Sequence, residues 1–190
     1  MTRRDALARV SLMLGGTIIG SEIFLYGCKA DTMQLSTVDF NENNILFLDE
    51  VGETIIPTSA SSPGAKAAGI GDFMKTIVTD CYEAKDQEVF LAGIGQLNEA
   101  ANEALGKDFM DLSAEDKTAF LTALDTKAKA YEASKSEDAP SHYFTMMKQL
   151  TLWGYFTSEV GASQALRYVE TPGRWEACIP YEKGEKAWAI

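Results

Sequence analysis

The chain has 190 residues, 46% hydrophobic and 24% charged, which suits one domain with a sizeable core or one domain plus an export segment. Its 28 acidic and 17 basic side chains give a net charge of −11, which argues against a nucleic-acid backbone as the main partner, since that needs a basic face. There is a single histidine, His142, so neither a di-iron bundle with paired Glu-x-x-His motifs nor a zinc-protease helix with two histidines can be built. Any Ser–His or Cys–His nucleophile system would have to run through His142.

The N-terminus reads as an address. A basic head, Thr2-Arg3-Arg4-Asp5-Ala6-Leu7-Ala8-Arg9, precedes an apolar run over 10–27. That is the layout of an export signal, and Arg3-Arg4 ahead of Leu7 resembles the twin-arginine signal that carries folded proteins across the bacterial inner membrane. The bland alternative is a basic patch before a buried helix. Ser21 and Glu22 interrupt the run, which weakens it as a permanent span. Its end, Leu25-Tyr26-Gly27-Cys28, looks like a lipobox, with Cys28 as the diacylated first residue of the mature chain. Acyl chains worth about 0.8 kcal/mol per CH₂ would then anchor the protein to a bilayer. The competing reading is an ordinary cysteine after an uncleaved anchor. Cleavage before Cys28 removes three arginines and two acids, so the exported body keeps the acidic excess at −12. The remaining Cys81 and Cys178 form an even pair, compatible with a disulfide or with two unpaired thiols.

Three segments follow: a signal over 1–27, a polar tether over 28–40 and a helical body over 41–190. Ile45, Leu48, Asp49, Gly52 and Ile55 mark a short amphipathic helix over 42–56, stopped by Pro57. A Ser-rich loop leads to a stripe of Ile70, Phe73, Met74, Ile77, Val78 and Cys81. Phe90, Ile94, Leu97, Ala101, Ala104 and Leu105 form the next stripe, with Gly106 as its stop. Ser113-Ala114-Glu115-Asp116 resembles a capping-box start, followed on one face by Phe120, Leu121, Leu124, Ala128 and Tyr131. After a polar break over 134–139, Pro140 suits the first turn of another helix. No run alternates with period two. The fold class is all-α, a compact bundle of five to six helices with a loop-rich C-terminal tail.

The helix over 143–156 is apolar on every side: Tyr143, Phe144, Met146, Met147, Leu150, Leu152, Trp153, Tyr155 and Phe156. Such a helix must be buried all round, either at the centre of the bundle or partly beneath another protein. The tail beyond it carries Trp175 and Trp188, which either pack back on the bundle or dock elsewhere.

Chemistry is scarce. His142 has no acid or cysteine at metal-ligand spacing, and Gly93-Ile94-Gly95 lies in a helical stripe rather than after a strand. Glu159, beside Thr157 and Ser158, is the carboxylate closest to the aromatic run, and a polar helix end is its bland reading. A twin-arginine signal on a chain without a cofactor motif poses a puzzle, which is solved if the chain carries the signal for a cofactor-loaded partner.

The segments Ile55-Ile56-Pro57-Thr58, Ser62-Pro63-Gly64-Ala65, the run 73–82 and above all Leu150-Thr151-Leu152-Trp153-Gly154-Tyr155-Phe156-Thr157-Ser158-Glu159-Val160-Gly161, then Pro172-Gly173 and Cys178, resemble subunit 3 of gluconate 2-dehydrogenase-type flavoprotein complexes. The similarity runs over about 40–180, with Tyr26 and Trp175 as minor departures. The resemblance implies a non-catalytic small subunit that binds no cofactor of its own. Its expected partner is a large subunit of the glucose-methanol-choline type, which holds FAD and oxidises a sugar or sugar acid. A cytochrome c subunit often takes the electrons onward. It further implies a periplasmic, membrane-anchored protein, with Trp153, Tyr155, Phe156, Ser158 and Glu159 as partner interface. The alternatives are a free-standing periplasmic helical lipoprotein acting as a binding or scaffolding module, and an enzyme built around His142 and Glu159.

Overall fold

The computed structural model describes residues 34–189 except Pro172 and Glu176. Arg3, Arg4, Cys28, the signal over 1–27 and the first part of the tether lie outside the described residues.

Five α-helices build the body. The first, α1 (Glu42–Ile55), begins where the Asn41 side chain accepts from the Asn44 N–H, and Glu42 sits in the first turn, where the helix dipole favours an acid. Its buried stripe is Asn44, Phe47, Leu48, Val51 and Gly52, a rotation away from the stripe read through Ile45 and Ile55. The reason is Asn44. Fully buried, it accepts from the Ser36 N–H at 2.8 Å and donates to the Ser36 carbonyl at 2.7 Å. The expected tether is therefore pinned to the body from Ser36 onward, and Phe40 lies against Phe90 at 6.1 Å.

Pro57 follows the end of α1, and the loop beyond it is tied back by Glu53, whose carboxylate accepts from the Thr58 N–H, the Thr58 hydroxyl and the Lys66 N–H. A 3₁₀ turn, Ala65–Ala68, hands over through left-handed Gly69 to α2 (Ile70–Cys81). Helix α3 (Ala84–Leu105) buries Phe90, Ile94, Leu97 and Ala101 as the spacing requires, and Gly106 ends it at φ 70°. Ala104 and Leu105 turn out exposed. Helix α4 (Ala114–Ser134) starts on the expected Ser113 cap, whose hydroxyl accepts from the Asp116 N–H at 3.1 Å. Glu50 of α1 receives Lys117 of α4 at 2.8 Å and Lys66 at 3.3 Å, and the Lys117 hydrogen bond chiefly holds its carboxyl below the usual range.

Helix α5 (Tyr143–Thr157) packs against each of the other four helices and is the central rod of the bundle. It begins three residues after Pro140 rather than at it, because the cap is His142: the imidazole Nδ1 accepts from the Phe144 N–H at 3.1 Å. A π-helical turn, Gly161–Ala165, follows. The tail then closes on itself. Arg167 stacks over Trp188 at 4.4 Å, and its backbone pairs with Ala187 and Ala189. That isolated bridge is the only strand-like pairing among the described residues. Trp175 and Tyr181 stay in solvent. Among the described residues no helix is long and apolar enough to cross a membrane.

Candidate functional site

A central helix should put its polar residues on whatever surface it leaves to water. On α5 the opposite occurs. The inner side, formed by Phe144, Met147, Leu150, Thr151 and Tyr155, is buried, while the outer stripe carries Gln149, Leu152, Trp153 and Phe156. Leu152 and Phe156 are 40% exposed and Trp153 is 53% exposed. The expectation of burial on all sides is thus met on the inner sides only.

Neighbouring helix α2 widens this stripe. Phe73 meets Trp153 edge-to-face at 5.5 Å, and Ile77 follows one turn on, both half-buried. Gly154 makes the approach feasible, because a Cβ there would come within 2.5 Å of the edge of the Phe73 ring. Phe156 is steadied by Tyr155, with centroids 5.2 Å apart and planes at 74°. The outer aromatics are therefore held by packing yet keep a free surface, which suits them as anchors for another protein.

The five residues expected at the interface divide. Trp153 and Phe156 face outward. Tyr155 is 1% exposed, and its hydroxyl donates to the Pro63 carbonyl at 2.6 Å, so within the described body it is a core residue that ties α5 to the Ser-rich loop. Ser158 closes the helix: its hydroxyl donates to the Tyr155 carbonyl and accepts from the Gly161 N–H. Glu159 is exposed one turn beyond Phe156. Sequence reasoning did not single out Phe73 and Ile77 as companions of Trp153, since on their own helix they read as ordinary core positions.

At the other end of the stripe, Gln149 also lines a cleft of about 310 Å³ with Cys81, Tyr82, Glu83, Lys85, Asp86, Ser141 and Met146. Cys81 is exposed here, not buried on the α2 stripe, because it is the last helical residue and the chain turns away after it. Cys178 is exposed as well, and both thiols are free. His142 and Glu159 lie at opposite ends of α5, roughly 25 Å apart by helical rise, so no joint catalytic role follows. Burial lowers the His142 pKa against the opposing pull of Glu132, whose carboxylate accepts from the His142 backbone N–H at 2.7 Å. No group of three or more His, Cys, Asp or Glu among the described residues is placed to hold a metal ion.

A family model described as gluconate 2-dehydrogenase subunit 3 matches residues 42–173. The chain belongs to that family. The match begins at the first residue of α1 and runs through α5 into the tail, so the gluconate 2-dehydrogenase subunit 3 region takes in the whole bundle and its outer aromatic stripe. No curated protein and no solved structure matches the chain. The family name is that of one subunit of a multi-subunit dehydrogenase, and a subunit 3-like role is what membership supports.

Proposed function

We propose that this chain is the non-catalytic small subunit of a periplasmic FAD-dependent dehydrogenase acting on a sugar or sugar acid. In this role it assists folding, twin-arginine export and membrane attachment of a flavoprotein large subunit of the glucose-methanol-choline type. The observation that carries the reading is the outer face of α5, where Trp153 and Phe156 stay exposed on a helix whose other sides are core. An aromatic surface left open on a rigid support fits a protein that works bound to another. Family membership supports a partner within a multi-subunit dehydrogenase, and Arg3-Arg4 is the basis for the proposed export route. FAD is assigned to the large subunit, so no residue here is given a flavin role, and a cytochrome c subunit is proposed as a further member of the assembly.

Attachment is assigned to Cys28 or to an uncleaved signal. Two measurements test the reading. Affinity purification of the full chain, co-expressed with the large subunit, should bring down a protein with flavin absorbance. Replacing Arg3-Arg4 by Lys-Lys should leave dehydrogenase activity in the cytoplasm. Unchanged periplasmic activity would refute the export role.

A further inference from the structure

The α5 stripe and the cleft are one surface, joined by Gln149, and the groups that border them are unbalanced in charge. On α2, helical periodicity puts Thr76 and Asp80 on the solvent flank of Phe73 and Ile77, while Lys75 falls toward the α1 side, as does Asp72, whose charge acts on Asp49. Glu83 and Asp86 line the cleft, and Glu159 follows Phe156. The nearby cations are already engaged: Lys85 pairs with Glu83 at 3.1 Å and Lys148 with Asp125 at 2.7 Å. The ion pairs of the described residues leave Asp80 and Glu159 without a cation, and in the cleft the single charge of Lys85 is shared between Glu83 and Asp86.

Building on the small-subunit reading, we propose that the α2–α5 seam, from Phe156 to the cleft at Asp86, is the docking surface for the large subunit. Its counterpart there is an apolar patch bordered by lysine or arginine, which face Asp80, Glu159 and the acidic excess of the cleft. An apolar centre excludes water around the anchors, and carboxylates at its edge select a basic border and speed encounter. A neutral or acidic border would leave these carboxylates crowded and uncompensated, which rejects other apolar surfaces. The occupant is thus defined by its sign of charge as well as by its hydrophobicity.

The test uses the full chain co-expressed with its flavoprotein, with the affinity of the complex measured at low and high salt. The double change Asp80→Lys, Asp86→Lys should weaken binding about tenfold or more at low salt and flatten the salt dependence. Glu99→Lys, Glu103→Lys, exposed on the far half of α3, should leave affinity within about twofold of the parent. Helical circular dichroism checks that each variant folds. If Trp153→Ala, Phe156→Ala abolishes binding while the charge reversal changes nothing, the basic border is wrong and the subunit reading stands. If all variants bind like the parent, the seam is not the interface. If the unaltered chain binds no flavoprotein, the subunit reading fails and takes this inference with it.

Discussion

The two sides of α5 differ in what they do with the same kind of residue. Tyr155 and Phe156 are neighbours in sequence and in ring contact, yet one is sealed in the core and the other stands in water. Tyr155 has a partner for its polar end in the Pro63 carbonyl and fills space between α5 and the loop. Phe156, like Trp153, has a supporting ring and still keeps a large part of its surface exposed. Composition does not separate them. The direction each residue takes from a rod with four neighbours does.

If the inner side supplies stability and the outer side supplies binding, substitutions should sort by side. The largest loss of stability is expected for Tyr155→Ala, about 3–5 kcal/mol, since it empties a core position and removes the bond to Pro63. Chemical denaturation of the isolated chain measures it, and a loss below about 1 kcal/mol would erase the distinction between the sides. Gly154→Ala comes next, at about 1–3 kcal/mol, because the new Cβ meets the Phe73 ring and both helices must shift. The same change should also tilt Trp153, so partner affinity should fall with stability.

His142→Ala is smaller, about 1 kcal/mol, the cost of losing the cap at the start of α5. Its pH dependence has a definite sign. The fold favours the neutral ring, because burial disfavours the imidazolium and Nδ1 must keep its lone pair for the Phe144 N–H. The unfolded chain therefore takes up the proton first as pH falls. The contribution of His142 is complete above its ordinary value of about 6.5 and is lost as pH drops through the depressed folded value. Denaturation midpoints of the parent and of His142→Ala should converge across that range. The smallest effect is that of Glu159→Gln, within about 0.5 kcal/mol of the parent in stability, as for other exposed polar changes.

The helices, their stops and one cap were legible because local rules decide them. Gly106 needs a positive φ, Ser113 offers an oxygen to Asp116, and the α3 stripe repeats at helical spacing. The faces were less legible. Asn44 is a polar residue that the periodicity of α1 discounts, yet its two bonds to Ser36 make it a core position and shift the buried stripe. His142 capped α5 where Pro140 was expected to open it, since a ring nitrogen can accept the orphan N–H as a serine would. At the candidate site, Trp153 and Phe156 could be named from the sequence. That Tyr155 lies inside and Phe73 joins the outer stripe depends on how α2 and α5 cross, and Gly154 sets that crossing.

The most direct test of the central claim is co-purification of the flavoprotein with the unaltered chain and with its Trp153→Ala, Phe156→Ala variant, alongside circular dichroism of both. The account predicts that the variant stays helical and loses the flavin-bearing partner. Retention of that partner by a folded variant would contradict it, and unfolding of the variant would return both residues to the core.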